Sequence, residues 1–192
     1  MSEAILKRFD DGFRRAREAA IPEANGMTLS TADANGRPVS RVVLLKEHDA
    51  SGFVFYTNLT SRKGREIQAN PRVCLAFWWR ETAEQVIIEG AARQVTDAEA
   101  DAYFATRPRG SQIGAWASDQ SAPLAERQLF TDRIAALEAE YEGREVPRPP
   151  HWSGFRVEPD RIEFWYGREY RWHERIEYSA SDDGWQRRML YP

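Results

Sequence analysis

Between Met1 and Ala20 the apolar residues Leu6, Phe9, Phe13, Ala16 and Ala20 recur at three- and four-residue intervals with charges between them. That spacing predicts an amphipathic helix over Glu3 to Ala20. Pro22 closes it, because the residue before a proline avoids helical backbone. From Met27 the period falls to two. Met27 to Asp33 and Arg37 to Lys46 flank Ala34-Asn35-Gly36, and Asn-Gly is a strong hairpin signal. Asp49 to Gly52 predicts the next turn, followed by the aromatic and β-branched strand Phe53 to Thr57. Ser61 caps a short helix that runs to about Ala69, where Asn70-Pro71 ends it. Strands over Arg72 to Trp79 and Gln85 to Val95 follow. Thr96 and Glu99 have capping-box spacing and open a helix through Phe104. Pro108 opens another through Ala117. Pro123 opens a longer one whose stripe is Leu124, Ile134, Leu137 and Tyr141. Val146 to Pro150 is a stiff connector. The tail returns to strands over Gly154 to Glu158, Arg161 to Tyr166, Arg171 to Tyr178 and Trp185 to Tyr191, with Asp182-Asp183-Gly184 as the last turn. Short strands in a meander, with no βαβ alternation and no repeat, predict one domain spanning residues 1–192. Its class is mainly β with peripheral helices, an antiparallel barrel.

Composition narrows the function classes. With 192 residues, 42% apolar and 30% charged, the chain can bury a core and does not read as disordered. Lys plus Arg is 27 against 30 Asp plus Glu, a net charge of −3, so no nucleic-acid partner is expected. No apolar run approaches the roughly 20 residues that span a bilayer, so no membrane partner is expected either. Met1 to Ala20 has no apolar core of the signal-peptide kind. The single cysteine, Cys74, cannot form an internal disulfide and reads as a small core residue between Val73 and Leu75. A cytoplasmic location is the expectation. Gly-x-Gly-x-x-Gly and Walker patterns are missing, and His48, His151 and His173 are scattered with no metal-site spacing, so no metal is expected. Chemistry here points to a borrowed cofactor.

The placement of positive charge is the anomaly. Ser61-Arg62-Lys63-Gly64-Arg65 puts cations into the first turn of a helix, where the dipole disfavours them by about 0.3–1 kcal/mol each and free N–H groups attract anions. A phosphate would resolve the conflict, and a solvated helix end would also accommodate it. Tyr103, Arg107, Arg109 and Ser111 bracket Pro108 at a helix junction, either a second anion site or a polar loop. Arg171, His173 and Arg175 are spaced by two, which on a strand sends all three from one face, toward an anion or toward water. Arg41 and Lys46 are five apart and leave opposite faces of a regular strand. Four cationic sites in an acidic chain with seven tryptophans suggest a pocket for a planar, phosphorylated ligand.

At these residues the sequence resembles the pyridoxamine 5′-phosphate oxidase family. The matching stretches include Arg41-Val-Val-Leu-Leu-Lys46, Phe53-Val-Phe-Tyr-Thr-Asn58, Ser61-Arg-Lys-Gly64, Gln85, Tyr103-Phe-Ala-Thr-Arg-Pro-Arg109, Ser111 to Ser118, Gln120-Ser121, Val146 to Trp152, Ile162-Glu-Phe-Trp165 and Arg171-Trp-His-Glu-Arg175. The resemblance implies an FMN-binding split β-barrel and a homodimer with FMN at the subunit interface. It implies FMN contacts for Arg41, Lys46, Tyr56, Thr57, Arg62, Lys63, Gln85, Gln120, Ser121, Trp165 and Arg175. Lys46, Tyr103, Arg107 and Ser111 would hold the substrate phosphate, with Arg171 and His173 as the catalytic pair at the pyridine ring. The implied reaction oxidises pyridoxamine or pyridoxine 5′-phosphate to pyridoxal 5′-phosphate, with molecular oxygen as acceptor and hydrogen peroxide released. Two departures stand out. The chain starts at about the first helix, so the arm that family members usually carry before it is expected to be missing or replaced, and Trp172 stands where an aliphatic residue is usual. The missing arm favours an alternative, a related flavin oxidase acting on another reduced ring, as in phenazine biosynthesis. A third reading is a flavin-binding protein without turnover.

Overall fold

A computed structural model describes residues 1–192. Five α-helices and nine strands alternate along the chain. The first helix, α1 (Glu3–Glu18), precedes a hairpin of β1 (Gly26–Ala32) and β2 (Pro38–Leu44), then β3 (Glu47–Asp49) and β4 (Gly52–Asn58). Helix α2 (Arg62–Ala69) leads to β5 (Arg72–Trp79) and β6 (Glu84–Gln94). Helices α3 (Asp97–Ala105), α4 (Arg109–Ala117) and α5 (Arg127–Glu140) come next, and β7 (Trp152–Tyr166), β8 (Glu174–Ser181) and β9 (Gly184–Leu190) complete the chain. All strand pairs are antiparallel, in the order β2-β1-β5-β6-β7-β4-β3, with β8 on β7 and β9 on β8. No helix is long and apolar enough to cross a membrane.

Alternation decides which side of each strand is buried. Val73, Leu75, Phe77 and Trp79 of β5 and Val86 and Ile88 of β6 enter one core with Phe53, Phe55, Val157 and Ile162. Cys74 falls on the other face of β5 and is half-buried, so it is not a core residue as expected. Helix α1 closes the core through Ile5, Phe9 and Ala16. The buried stripe is rotated from the expected one. Ile5 and Gly12 are in it, and Ala20 lies exposed beyond the helix end with φ 54°. The Asn35-Gly36 turn, the Ser61 cap onto the Gly64 N–H and the Thr96/Glu99 capping box form as their residues predict.

Four expectations need correction. The strands foreseen over Gly154–Glu158 and Arg161–Tyr166 are one strand, β7, with a register shift opposite Glu89 and Gly90. Pro159 sits at that bulge, where strands accept proline. A Cβ on Gly90 would lie 2.1 Å from the Glu158 carbonyl oxygen, so only glycine fits there. The three-residue β3 was too short for its period to show. Helix α5 starts at Arg127 rather than Pro123, and Leu124 is exposed, with no apolar surface to pack on. Most consequential, Arg171 and His173 are not on a strand. The last partner of β8 on β7 is Tyr166, opposite Glu174, so residues before Glu174 have no strand to bond. Glu169–Arg171 form a single 3₁₀ turn, with Tyr170 and Arg171 at φ 53° and 64°. Arg171, His173 and Arg175 therefore do not share a strand face.

Candidate functional site

A cavity of about 670 Å³ opens between the end of β2, strand β4, the first turn of α2 and the α3–α4 junction. One wall is aromatic. Tyr56 of β4 stacks on Tyr103 of α3 at 4.1 Å between ring centroids and 10° between planes, and on Trp152 at 5.3 Å and 3°. Tyr56 can lie flat because Gly154 is opposite it on β7. A Cβ there would come 2.7 Å from the ring. Burial first, then the charge of Glu47 and the hydrogen bond to it, push the Tyr56 hydroxyl pKa up, so Tyr56 stays protonated and donates to Glu47 Oε1 at 3.3 Å.

Three cations reach this cavity without any carboxylate in ion-pairing distance: Lys46, Lys63 and Arg107. Lys46 follows the end of β2 and carries its Nζ 6.0 Å from the Tyr103 ring centre. Lys63 is the second residue of α2. Its Nζ donates to Gln120 Oε1 at 2.7 Å and Thr57 Oγ1 at 3.2 Å, both neutral. Burial, and then the charge of Arg41, lower its pKa. Arg107 lies over Trp152, 4.7 Å from the ring centre, and its Nη1 is buried with no hydrogen-bond partner. Burial lowers its pKa and Tyr103 partly offsets this. A guanidinium in proteins remains charged all the same. An unpartnered buried donor costs about 1–3 kcal/mol, more when charged, so an anion is the group that fits. Ser111 of α4 lines the same cavity.

Of the residues expected to meet a cofactor or substrate, Lys46, Tyr56, Thr57, Lys63, Tyr103, Arg107, Ser111 and Gln120 line this one cavity. Ser121 follows Gln120 with φ 74° and is exposed. Arg41 and Arg62 are engaged elsewhere. Arg41 Nη2 and Arg62 Nε hold the two oxygens of Glu66 at 3.0 and 2.7 Å, and Thr31 donates to the same carboxylate at 2.5 Å. Burial pushes the Glu66 pKa up, but these three donors outweigh it and the net shift is downward. The cations of the α2 turn thus diverge: Arg62 to Glu66, Lys63 to the cavity and Arg65 to the Thr60 carbonyl. Arg41 and Lys46 go to different places, though not as opposite faces of one strand, because β2 ends at Leu44, before Lys46.

The remaining expected residues form a second group, a row across adjacent strands. Gln85 of β6 pairs with Trp165 of β7, and Trp165 with Arg175 of β8, so all three share a face. Trp78 of β5 is opposite Gln85, half-exposed, and meets Trp165 edge-on at 5.9 Å. Arg175 is neutralised by Glu163, with contacts of 2.7 and 3.0 Å. His173 lies against Trp165 at 4.5 Å, its Nδ1 accepting from the Arg168 N–H at 3.2 Å. Arg171 is exposed. None of this row lines the cavity. Residue patterns missed Trp152 and Phe130 of the cavity wall and Glu66 behind it. The four-residue spacing of Arg62 and Glu66 could have revealed the last.

A family model described as pyridoxamine 5′-phosphate oxidase matches residues 13–141, and one described as the pyridoxine 5′-phosphate oxidase C-terminal dimerisation region matches residues 152–192. The chain belongs to the pyridoxamine 5′-phosphate oxidase family. Within that family it is similar to a pyridoxine/pyridoxamine 5′-phosphate oxidase of Myxococcus xanthus strain DK1622, 56% identical over 97% of this chain and 91% of that protein. It is 53% identical to one from Zymomonas mobilis over the full length of both. Its fold is similar to the crystal structure of PhzG from Burkholderia lata 383 in complex with tetrahydrophenazine-1-carboxylic acid. The TM-score is 0.92 at 34% identity, over 98% of this chain and 91% of that one. An FMN-binding protein related to pyridoxamine 5′-phosphate oxidase, from Nostoc punctiforme, shares the fold at TM-score 0.79 and 17% identity, over the full length of both. The architecture is therefore the split barrel of this family, as expected.

Proposed function

We propose that the protein is an FMN-dependent oxidase that converts pyridoxamine or pyridoxine 5′-phosphate to pyridoxal 5′-phosphate, with oxygen taking the electrons and leaving as hydrogen peroxide. The observation that carries this reading is the set of uncompensated cations, Lys46, Lys63 and Arg107, around one aromatic-walled cavity. Phosphates complement such donors through charge-assisted hydrogen bonds. The identity of more than half to enzymes named for this reaction supports the substrate class. Lys63, with Thr57 and Gln120 beside it, would hold the FMN phosphate. Arg107, Lys46 and Ser111 would take the substrate phosphate, with Tyr103 beside them. When bound, FMN supplies the two-electron acceptor, and the protein supplies position and electrostatics.

His173 lies against Trp165 of the row and Arg171 is exposed two residues before it; neither lines this cavity, and in one chain that group completes no site. Residues 152–192 match a dimerisation region, so we assign the row to the cavity of a second copy in a homodimer. There Gln85, Trp165 and Arg175 would border the flavin. Arg171 would hold the pyridine ring against it, a proximity effect, and His173 would bond the ring substituents through Nε2, since Nδ1 already accepts a backbone hydrogen bond. Arg41 and Arg62 would act through Glu66 by fixing α2, which carries Lys63. All nine strands join one sheet, which supports one unit over the whole chain.

Anaerobic mixing of the yellow protein with pyridoxine 5′-phosphate tests the proposal: bleaching of the flavin supports it, and an unchanged spectrum rejects it. The likeness to PhzG favours a second reading, oxidation of a reduced phenazine-type ring. Bleaching by a tetrahydrophenazine carboxylate, with none by the B6 phosphate, would select it.

A further inference from the structure

The row that carries Gln85 and Trp165 is anchored from behind. Immediate neighbours on a strand face opposite ways, and here Gln85, Trp165 and Trp78 each have a neighbour gripped by α1 or lying beneath it. Glu84, next to Gln85, accepts from Arg15 Nε and Nη2 at 2.7 Å each. Tyr166, next to Trp165 and opposite Glu84 in register, accepts from Arg8 Nη1 at 3.2 Å. Trp79, next to Trp78, is buried under Phe9 and Phe13 at 6.0 and 6.1 Å. Gly12 makes the close approach possible. A Cβ there would stand 3.0 Å from the Trp79 ring and 3.2 Å from Glu84 Oε2. The helix itself is held by further contacts, Ile5 and Ala16 in the core and Asp10 on His48 at 2.6 Å.

We propose that α1 is a clamp that sets the position of the Gln85–Trp165 edge at the flavin, with Arg15 and Arg8 as positioning residues. The proposal rests on the FMN-binding reading above. Its mechanism is local. Glu84 is nearly buried, and a buried carboxylate stripped of its partner must move toward water or take up a proton. Movement toward water shifts the β6 backbone one residue from Gln85 and, through the β6–β7 pairing, Trp165 and the His173 ring against it. Arg15 touches neither cofactor nor substrate in this arrangement.

The test compares the FMN-reconstituted dimer with Arg15→Ala, Arg15→Lys, Tyr166→Phe and, as a control, Arg93→Ala. The control removes an exposed ion pair with Glu158 on the same sheet. FMN dissociation constants, the position of the flavin visible bands and the melting temperature are read together. Arg15→Ala is expected to weaken FMN binding about tenfold, the low end of the loss seen when groups that orient metal ligands are removed, and to shift the bands. Arg15→Lys should restore part of both. Tyr166→Phe, which deletes a single contact, covers the case in which Arg15→Ala fails to fold, and should weaken binding about threefold with shifted bands. Arg93→Ala should leave both within twofold. Wild-type affinity and bands in Arg15→Ala and Tyr166→Phe overturn the clamp while the flavin reading stands. So does an equal loss in Arg93→Ala, which marks general destabilisation. A wild-type protein that takes up no FMN overturns both.

Discussion

Lys46, Lys63 and Arg107 reach their cavity with no carboxylate in ion-pairing distance, whereas Arg41, Arg62, Arg161, Arg175 and Arg188 each lie on Glu66, Glu163 or Glu177, carboxylates that are almost wholly buried. The side-chain chemistry is the same in both regions, but the counter-charge differs. In the second region the protein supplies its own anion and the charges hold strands and helices together. In the first the desolvation cost of Lys63 and Arg107 is left standing, which is tolerable if a ligand is to offset it. Sequence proximity does not separate the two kinds. Arg62 and Lys63 are adjacent and belong to different regions.

Substitutions should divide along that line. Arg107→Met is expected to lower kcat/KM for the B6 phosphate about 100-fold, the scale of a lost buried charge contact, while the ligand-free protein melts no earlier than wild type. Steady-state kinetics and calorimetry check the two halves, and a large fall in melting temperature would erase the distinction. Arg161→Ala should do the opposite. It leaves the fully buried Glu177 with Arg188 alone and should cost about 3 kcal/mol in denaturant unfolding. A third measurement uses pH. The Lys63 pKa is lowered in the ligand-free fold, so above that lowered value the side chain must take up a proton to meet a phosphate. FMN affinity should therefore fall as pH rises through it, and Lys63→Arg should move the fall to higher pH. The Glu66 pKa is lowered as well, but for a carboxylate the sign is reversed. Its contribution to stability is present above the unfolded value and is lost as pH falls through the folded one, so acid unfolding should begin earlier in wild type than in Glu66→Gln relative to each protein's neutral stability. The smallest effect is expected for Arg93→Ala, within about 1 kcal/mol of wild-type stability, because that pair is exposed.

Local rules made much of this legible in the sequence. Period-two alternation marks β5 to its ends, Asn-Gly marks the first hairpin, and Ser61 and Thr96 mark two helix starts. Of the site, the pattern reading located the cations around Arg62, Arg107 and Arg171, and the family resemblance assigned their roles. What stayed hidden depends on partners distant in sequence. Glu66 is fitted to Arg41 by the fold, so nothing near Arg41 reveals that its charge is neutralised. Arg171 and His173 continue the alternation of β8, but alternation says nothing about whether a neighbouring strand still runs alongside, and β7 has already turned away at Gly167. The same holds for the two groups of expected site residues. Both are written in one chain, and only the fold shows that they face different places.

The parallel stack of Tyr103, Tyr56 and Trp152 has an optical consequence. Aromatic transitions held this close and this nearly parallel couple to one another, so the stack should contribute its own near-ultraviolet circular dichroism. With Arg107 poised over the indole, a phosphate that draws the guanidinium aside would change that signal. The cavity wall is thus a built-in chromophore, able to report occupancy before any turnover has taken place.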